Sequence, residues 1–398
     1  MVAALAVGAA GGYAEELRKT EDDIAALQAS LSRDSRDIET RTRLAYRLYH
    51  RATLTEDSEA FLAAERAING AISLFGAQED LCLLKANLDF RFHRLQEAES
   101  DLRIAPNLWG RFEARSLLAD LAFQLGRYQE ARDGYDALIA EARTWDNLAR
   151  LAHYLGKMGD FEGADRLYVE AEDELTAKEM RSFAWVELQR GVLDVARGRY
   201  EEAAAHYQRA DRAYPGYAPV QEHMAEVLAA TGRFDEAVAL YTQVIDRMPK
   251  PELLQTLGEL YVFRGDAEEA APYFDRALAA YLESAGRGEV HYYHHLTDLY
   301  ADVLEDGAAA LEWAHKDSAL RENFSTQAAL AWACFRSGEV GDAVAWIGKA
   351  LTSGAVSAEL FHQAAAIYDA AGRREESAGF VKLAASVNPR YGVFHVHR

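Results

Sequence analysis

One hairpin signature recurs with a fixed period, and no other feature limits the fold so strongly. Residues 184–282 contain Gly198-Arg199-Tyr200-Glu201-Glu202-Ala203, Gly232-Arg233-Phe234-Asp235-Glu236-Ala237 and Gly265-Asp266-Ala267-Glu268-Glu269-Ala270. Their glycines are 34 and 33 residues apart (232−198, 265−232). After each glycine come a small residue at +5, an aromatic at +9 and a small residue at +12: Ala203, Tyr207, Ala210; Ala237, Tyr241, Val244; Ala270, Phe274, Ala277. Glycine leaves a helix cheaply because it tolerates positive φ. The small residue lets the second helix approach the first, and the aromatic one turn later fills the gap between pairs. Pro215 and Pro249, at +17, stop the second helix. Ahead of Gly265, Leu254, Leu257, Gly258 and Tyr261 form an apolar stripe with a contact glycine inside it.

Further copies extend the ruler in both directions. Gly126 and Gly159 carry Ala131, Tyr135, Leu138 and Ala164, Tyr168, Ala171; Gly338 and Gly372 carry Ala343, Ile347, Ala350 and Ser377, Val381, Ala384, with Pro389 at +17 in the last. Two earlier hairpins are degenerate. One has Leu44, Ala45, Leu48, then Ala64, Ile68, Ala71, with Thr53–Ser58 as a longer turn. The other has Leu81, Leu84, Leu88, then Ala98, Leu102, Ala105, closed by Pro106; His93 stands where the turn glycine is missing. The 39 residues from Gly159 to Gly198 imply extra length around Asp173–Arg181, read as a lengthened second helix. Trp185, Leu188 and Val192 mark the stripe of the next pair, in an unsettled register. Leu278–Glu289 overruns the period again, and Tyr293, Leu296, Thr297 and Tyr300 open the next pair.

These copies in phase resemble the tetratricopeptide repeat, with its W-x2-L-G-x2-Y…A-x3-F…P pattern. The resemblance implies an all-α fold, an α-solenoid of about ten antiparallel helix hairpins in a right-handed superhelix. Residues 34–390 are read as the array, 13–33 as a capping helix marked by Tyr13, Leu17, Ile24, Leu27 and Leu31, and 391–398 as a tail in which Val393 and Phe394 tuck under the final helix. Residues 1–12 form an apolar leader; a truncated secretory signal and a plain alanine-rich start are both open, and so are a cytoplasmic and an exported location. No stretch is long enough for a membrane span.

The sequence carries a formal charge of −21, which argues against a nucleic-acid partner. Cys82 and Cys334 are too few and too far apart for a disulfide framework or a zinc site. No phosphate loop or nucleophile motif occurs, and no cofactor is expected. The resemblance implies a non-enzymatic scaffold whose inner groove, lined by the first helices, holds a peptide or protein segment. Counting back from the turns, the lining comprises Glu113, Asp120, Asp146, Glu222, Glu226, Glu252, Gln255, Glu259, His294, Asp298, Asp302 and Trp332, with Glu359 and Asp369 further on and Lys157 and Arg336 as its basic members. Co-chaperones of the family clamp acidic peptides with Lys, Asn and Arg at such places. Glu222, Glu226, Gln255 and Glu259 stand there instead, so the expected partner is a basic segment. Two other readings are a metal-dependent or hydrolytic site around His294, His295 and Asp298, and a self-assembling structural protein.

Overall fold

The computed structural model describes residues 12–105 and 107–395. Most of the apolar leader, Pro106 and the last three tail residues lie outside them. Among the described residues there is no strand. A first helix, α1 (Tyr13–Leu31), precedes ten antiparallel pairs: α2 (Ile38–Thr55) with α3 (Ser58–Phe75), α4 (Glu79–Arg91) with α5 (Leu95–Ile104), α6 (Phe112–Gln124) with α7 (Tyr128–Glu141), α8 (Trp145–Lys157) with α9 (Phe161–Asp173), and α10 (Met180–Ala196) with α11 (Tyr200–Ala213). Then follow α12 (Ala218–Ala230) with α13 (Phe234–Arg247), α14 (Pro251–Arg264) with α15 (Ala267–Gly286), α16 (Tyr293–Asp298) with α17 (Gly307–Ser318), α18 (Phe324–Arg336) with α19 (Val340–Thr352), and α20 (Ala358–Ala370) with α21 (Arg374–Val387). The chain is an α-solenoid.

The turn residues explain the regular and the degenerate pairs alike. Gly126, Gly159, Gly198, Gly232, Gly265, Gly338 and Gly372 all have φ between 71° and 97°. Among the described non-glycine residues only Glu56, His93 and Glu305 have positive φ, and each occupies the turn of one of the three pairs that lack a turn glycine. The geometry of the turn is kept where the residue suited to it is not, at a conformational cost of about 1–2 kcal/mol each. At the pair contacts, a Cβ on Gly258 would lie 2.7 Å from the Phe274 ring, and one on Gly191 would strike Tyr207. These glycines are seats for the +9 aromatic of their own hairpins.

Several local expectations are corrected. The first turn is only Glu56 and Asp57, because α2 runs to Thr55 and Asp57 caps α3 by accepting from the Glu59 amide. The extra length before Gly198 is not in the second helix: α9 ends at Asp173, and the added residues form the loop 174–179 and a longer α10 starting at Met180. That early turn of α10 has a use, since Arg181 donates to the Thr53 carbonyl at 3.3 Å and lies 3.5 Å from Glu16. In the histidine-rich pair α16 continues into a π-helical turn, Leu299–Val303, where the Leu304 amide bonds to the Leu299 carbonyl at 2.9 Å. The residue inserted there, together with the six-residue-longer α15 (20 against 14 in α13), breaks the period. Val381, a packing marker by position, is 56% exposed because no further pair follows α21 among the described residues.

The coil then closes on itself. Tyr214 donates to Glu16, Asn323 to the Gln124 carbonyl at 2.9 Å, the Phe324 amide to Tyr128 Oη at 2.6 Å, and Arg390 to Glu201 at 2.8 Å. These partners are 189 to 199 residues apart, about six hairpins at the 33-residue period. The Val356 amide bonds to the Lys157 carbonyl at 2.9 Å, Lys250 pairs with Glu56, and Phe92 meets His291 edge to face at 4.9 Å. Turn loops of one coil thus rest on the loops that lead into first helices of the next. The tail belongs to the same seam. Phe394 is buried against Phe263 at 5.7 Å, in the core of α12 to α15 rather than under the final helix. The apolar face of α1 is covered within the chain, where Ile24 packs with Leu48 and Ala64.

Candidate functional site: an acidic lumen

Every expected lining residue sits on a first helix or its direct continuation: Glu113 and Asp120 on α6, Asp146 on α8, Glu222 and Glu226 on α12, Glu252, Gln255 and Glu259 on α14, His294 and Asp298 on α16, Asp302 on the π turn, Trp332 on α18. First helices of successive pairs also meet one another, as α2 does α4, α6 does α8, α10 does α12 and α18 does α20. They form the inner layer. With the coils docked, that layer encloses a narrow lumen.

The two halves of the lumen differ in charge. At α6 and α8 the acids are neutralised: Arg150 donates to Asp120 at 2.9 Å and to Asp146 at 2.8 Å, and Tyr135 donates to Asp120 at 3.0 Å. Counting back from the turn glycine does not reach Arg150, so the sequence reading missed the residue that decides this region. Glu113 is exposed and lies 3.5 Å from Arg111; Asp369 is exposed at the end of α20.

From α12 to α20 the carboxylates are far less compensated. Burial pushes Glu222 up to about 7, with Glu252 and Glu226 adding repulsion against the opposing pull of His223. Burial also lifts Glu259 to about 7, Asp302 adding to it and a 2.8 Å hydrogen bond from Gln255 opposing it. Glu359 is raised to about 7 by burial and Asp302, against Lys157. Asp298 is driven well above the usual carboxylate range, first by burial and then by Glu359, Asp302, Glu259 and Asp317. Glu222, Glu259 and Asp298 are half-buried and Glu359 is exposed, yet all four sit on the inner face of the coil, where surrounding protein limits screening by water. Asp302 accepts from Trp332 Nε1 at 2.9 Å and has Arg336 at 3.8 Å. Glu226 is buried and bonded to His223 at 3.1 Å, and Gln255, buried, accepts from Tyr281 at 3.0 Å.

A cavity of about 170 Å³ opens here, lined by Glu259, Asp298, Asp302, Trp332, Glu359 and Tyr391 among others. The histidines expected beside Asp298 are elsewhere. His294 and His295 line a separate cavity at the coil seam, with His93, His291, Lys250 and Glu252. His294 lies 5.5 Å from His93, and His295 stacks on Tyr281 at 5.5 Å. Burial pushes His93 down to about 3 and His291 to about 4, so both are neutral packing groups at pH 7. Among the described residues no group of three or more His, Cys, Asp or Glu side chains could hold a metal ion. Spacing on one helix suggested the metal reading, and the seam, which depends on residues about 200 positions away, pulls its members apart.

Family models described as tetratricopeptide repeat match residues 194–260, 253–287, and 113–133 with 325–349. The chain is a tetratricopeptide-repeat protein. Its repeats support a protein-interaction scaffold. A solved structure titled "Crystal structure of MamA protein" is similar over 44% of this chain and 94% of its own, at 20% identity and a TM-score of 0.33. No curated protein matches the chain. No helix among the described residues is long and apolar enough to cross a membrane.

Proposed function

We propose that this tetratricopeptide-repeat scaffold holds an extended basic segment of a protein partner in the acidic half of its lumen. One observation carries the reading: Glu222, Glu259, Asp298 and Glu359, on α12, α14, α16 and α20, line the inner layer and are each raised above the usual carboxylate range, chiefly by burial. A cationic ligand offsets the cost of ionising these carboxylates, and a concave low-dielectric wall focuses the negative potential on it. Docked coils hinder lateral entry of a folded domain and favour a chain that runs along the axis. The self-assembly reading has no comparable support, since the apolar face of α1 packs against its own chain.

Fluorescence anisotropy with a labelled Lys/Arg-rich peptide tests the proposal. Binding should weaken steeply as salt rises from low to physiological strength, where screening acts over about 8–10 Å. It should be lost in the triple variant Glu222→Gln, Glu259→Gln, Glu359→Gln. Glu226 is left intact because it holds His223. A triple variant that is folded and binds as the parent does would refute the proposal.

A further inference from the structure

A cavity of about 310 Å³ opens on the inner layer of the other half, where the acids are neutralised. Its walls are Trp145, Trp185 and Tyr217, with Asp146, Arg150 and Arg181 around them. Trp145 begins α8, Trp185 lies on α10 and Tyr217 directly precedes α12, and α10 meets both neighbours. Three successive first helices thus bring one aromatic each to the same space.

Trp145 and Trp185 stand where the W-x2-L of the repeat pattern puts a packing residue, with Leu148 and Leu188 three positions on. Their engagement differs from that of the other tryptophans. Trp109, Trp313 and Trp346 carry Arg103, Lys316 and Lys349 over their rings at 4.8, 3.7 and 3.6 Å, and Trp332 donates to Asp302. Trp145 and Trp185 meet edge to face at 6.1 Å. Both are half-buried, and among the described residues neither has a cation over its ring nor a hydrogen bond from its indole N–H. Packing against the core around Leu148 and Val186 accounts for part of each ring; it leaves two unused donors beside a cavity.

The donor–acceptor balance limits what fills this space. Asp146, the carboxylate among its walls, already accepts from Thr144 at 2.6 Å and from Arg150 at 2.8 Å. Arg150 is matched by Asp120 as well, and Arg181 lies 3.5 Å from Glu16, so the cleft is close to neutral. An ordinary peptide brings an N–H with every residue and finds few free acceptors here, at a cost for each one buried. Proline brings a carbonyl and no N–H. In a polyproline II helix those carbonyls make no internal bonds, and its pitch of about 9 Å is close to the spacing of about 8–10 Å between packed helices. One turn of such a segment therefore advances by one repeat.

We propose that the Trp145–Trp185–Tyr217 cleft is a docking surface for a proline-rich segment of a protein partner in the polyproline II conformation, its rings seated against the aromatics and its carbonyls accepting from the two indoles. The proposal is independent of the acidic-half reading, since it uses none of those carboxylates.

Decaproline is the probe, with a glycine–serine peptide of equal length as control, titrated into the ¹⁵N-labelled full chain and followed through its six indole N–H resonances. Trp145→Phe and Trp185→Phe keep an aromatic ring in place, and each removes one resonance, which assigns the pair. Decaproline should shift those two resonances and leave the others in place, while the glycine–serine peptide shifts none. Each Phe variant should bind decaproline about three- to tenfold more weakly than the parent. Affinity should hold as salt rises, and in the Glu222→Gln, Glu259→Gln, Glu359→Gln variant, so a loss of Lys/Arg-rich peptide binding there bears on the acidic half alone. The proposal is wrong if millimolar decaproline leaves the Trp145 and Trp185 resonances unmoved, if the glycine–serine peptide shifts them equally, or if both Phe variants bind as the parent does.

Discussion

Docking between coils turns a row of hairpins into an enclosed lumen, and a pair of glycines can measure it. Gly126 and Gly232 occupy equivalent turns with nearly equal backbone conformation, φ 78° and 79°. An alanine at either must adopt the left-handed region, at about 1–2 kcal/mol. Their surroundings differ. A Cβ on Gly232 meets nothing within 4 Å, whereas one on Gly126 would lie 2.5 Å from the Glu322 carbonyl oxygen and 3.3 Å from Asn323 Cα, both backbone atoms of the next coil. Backbone cannot rotate away as a side chain can, so the seam must shift, an overpacking cost of about 1–3 kcal/mol beyond the turn term. Gly232→Ala should therefore lose about 1–2 kcal/mol and Gly126→Ala about 2–5 kcal/mol. Urea denaturation followed by circular dichroism gives the two values, and hydrogen exchange should show faster exchange of the Phe324 amide, which bonds across the seam to Tyr128, only in Gly126→Ala. Equal losses, with unchanged exchange at Phe324, would show that the coils do not touch there.

Other predictions follow from single features. Glu222 and Glu259 are raised to about 7 in the folded chain, above the unfolded value near 4.5, so between those pH values the native state holds protons that the unfolded chain has lost and stability falls as pH rises. Glu222→Gln, Glu259→Gln removes that loss. Relative to the parent it should gain about 1–3 kcal/mol between pH 5 and pH 8 after allowance for screening, read by denaturation at each pH. Glu16 is held down to about 2, chiefly by its hydrogen bond from His50, so its stabilising contribution is present above pH 4.5 and lost as pH falls toward 2; Glu16→Gln should be less stable than the parent at pH 7 and equal to it in strong acid. Glu305→Gly, at φ 52° and exposed, should raise stability by about 0.5–1 kcal/mol in a thermal melt. Ala270→Leu, at a contact where Ala270 is 1% exposed, should cost about 1–3 kcal/mol, while the same change at an exposed alanine should cost little.

The sequence made the hairpins legible because each is held by contacts within about 34 residues. Ala203, Tyr207 and Ala210, or Ala237, Tyr241 and Val244, are buried where the period put them, and His93 takes the turn conformation that its position implied. What spans the coil was not legible. Phe394 meeting Phe263, His294 meeting His93 and Val356 meeting Lys157 depend on the accumulated rotation of about six hairpins, and no local spacing encodes it. The lining was readable as positions, since they fall on first helices. Its chemistry was readable only in part. Arg150 cancels Asp120 and Asp146 from a place the counting rule does not visit, so the acidic character is confined to α12–α20. The π turn at Leu299–Val303 hid the register of Asp298 and Asp302.

In the proposed complex, partly protonated lumen carboxylates receive the partner's positive charge. Calorimetric titration of octalysine at pH 7, repeated in buffers of different ionisation enthalpy, measures it directly. Glu222, Glu259 and Glu359 are each raised to about 7 and so are close to half protonated at that pH. Binding of a cation must drive protons off them, with an expected net release of about one or more protons per complex. That release should shrink toward zero at pH 9 and in the Glu222→Gln, Glu259→Gln, Glu359→Gln variant. Binding at pH 7 with no proton release, or with the same release in the triple variant, would contradict it.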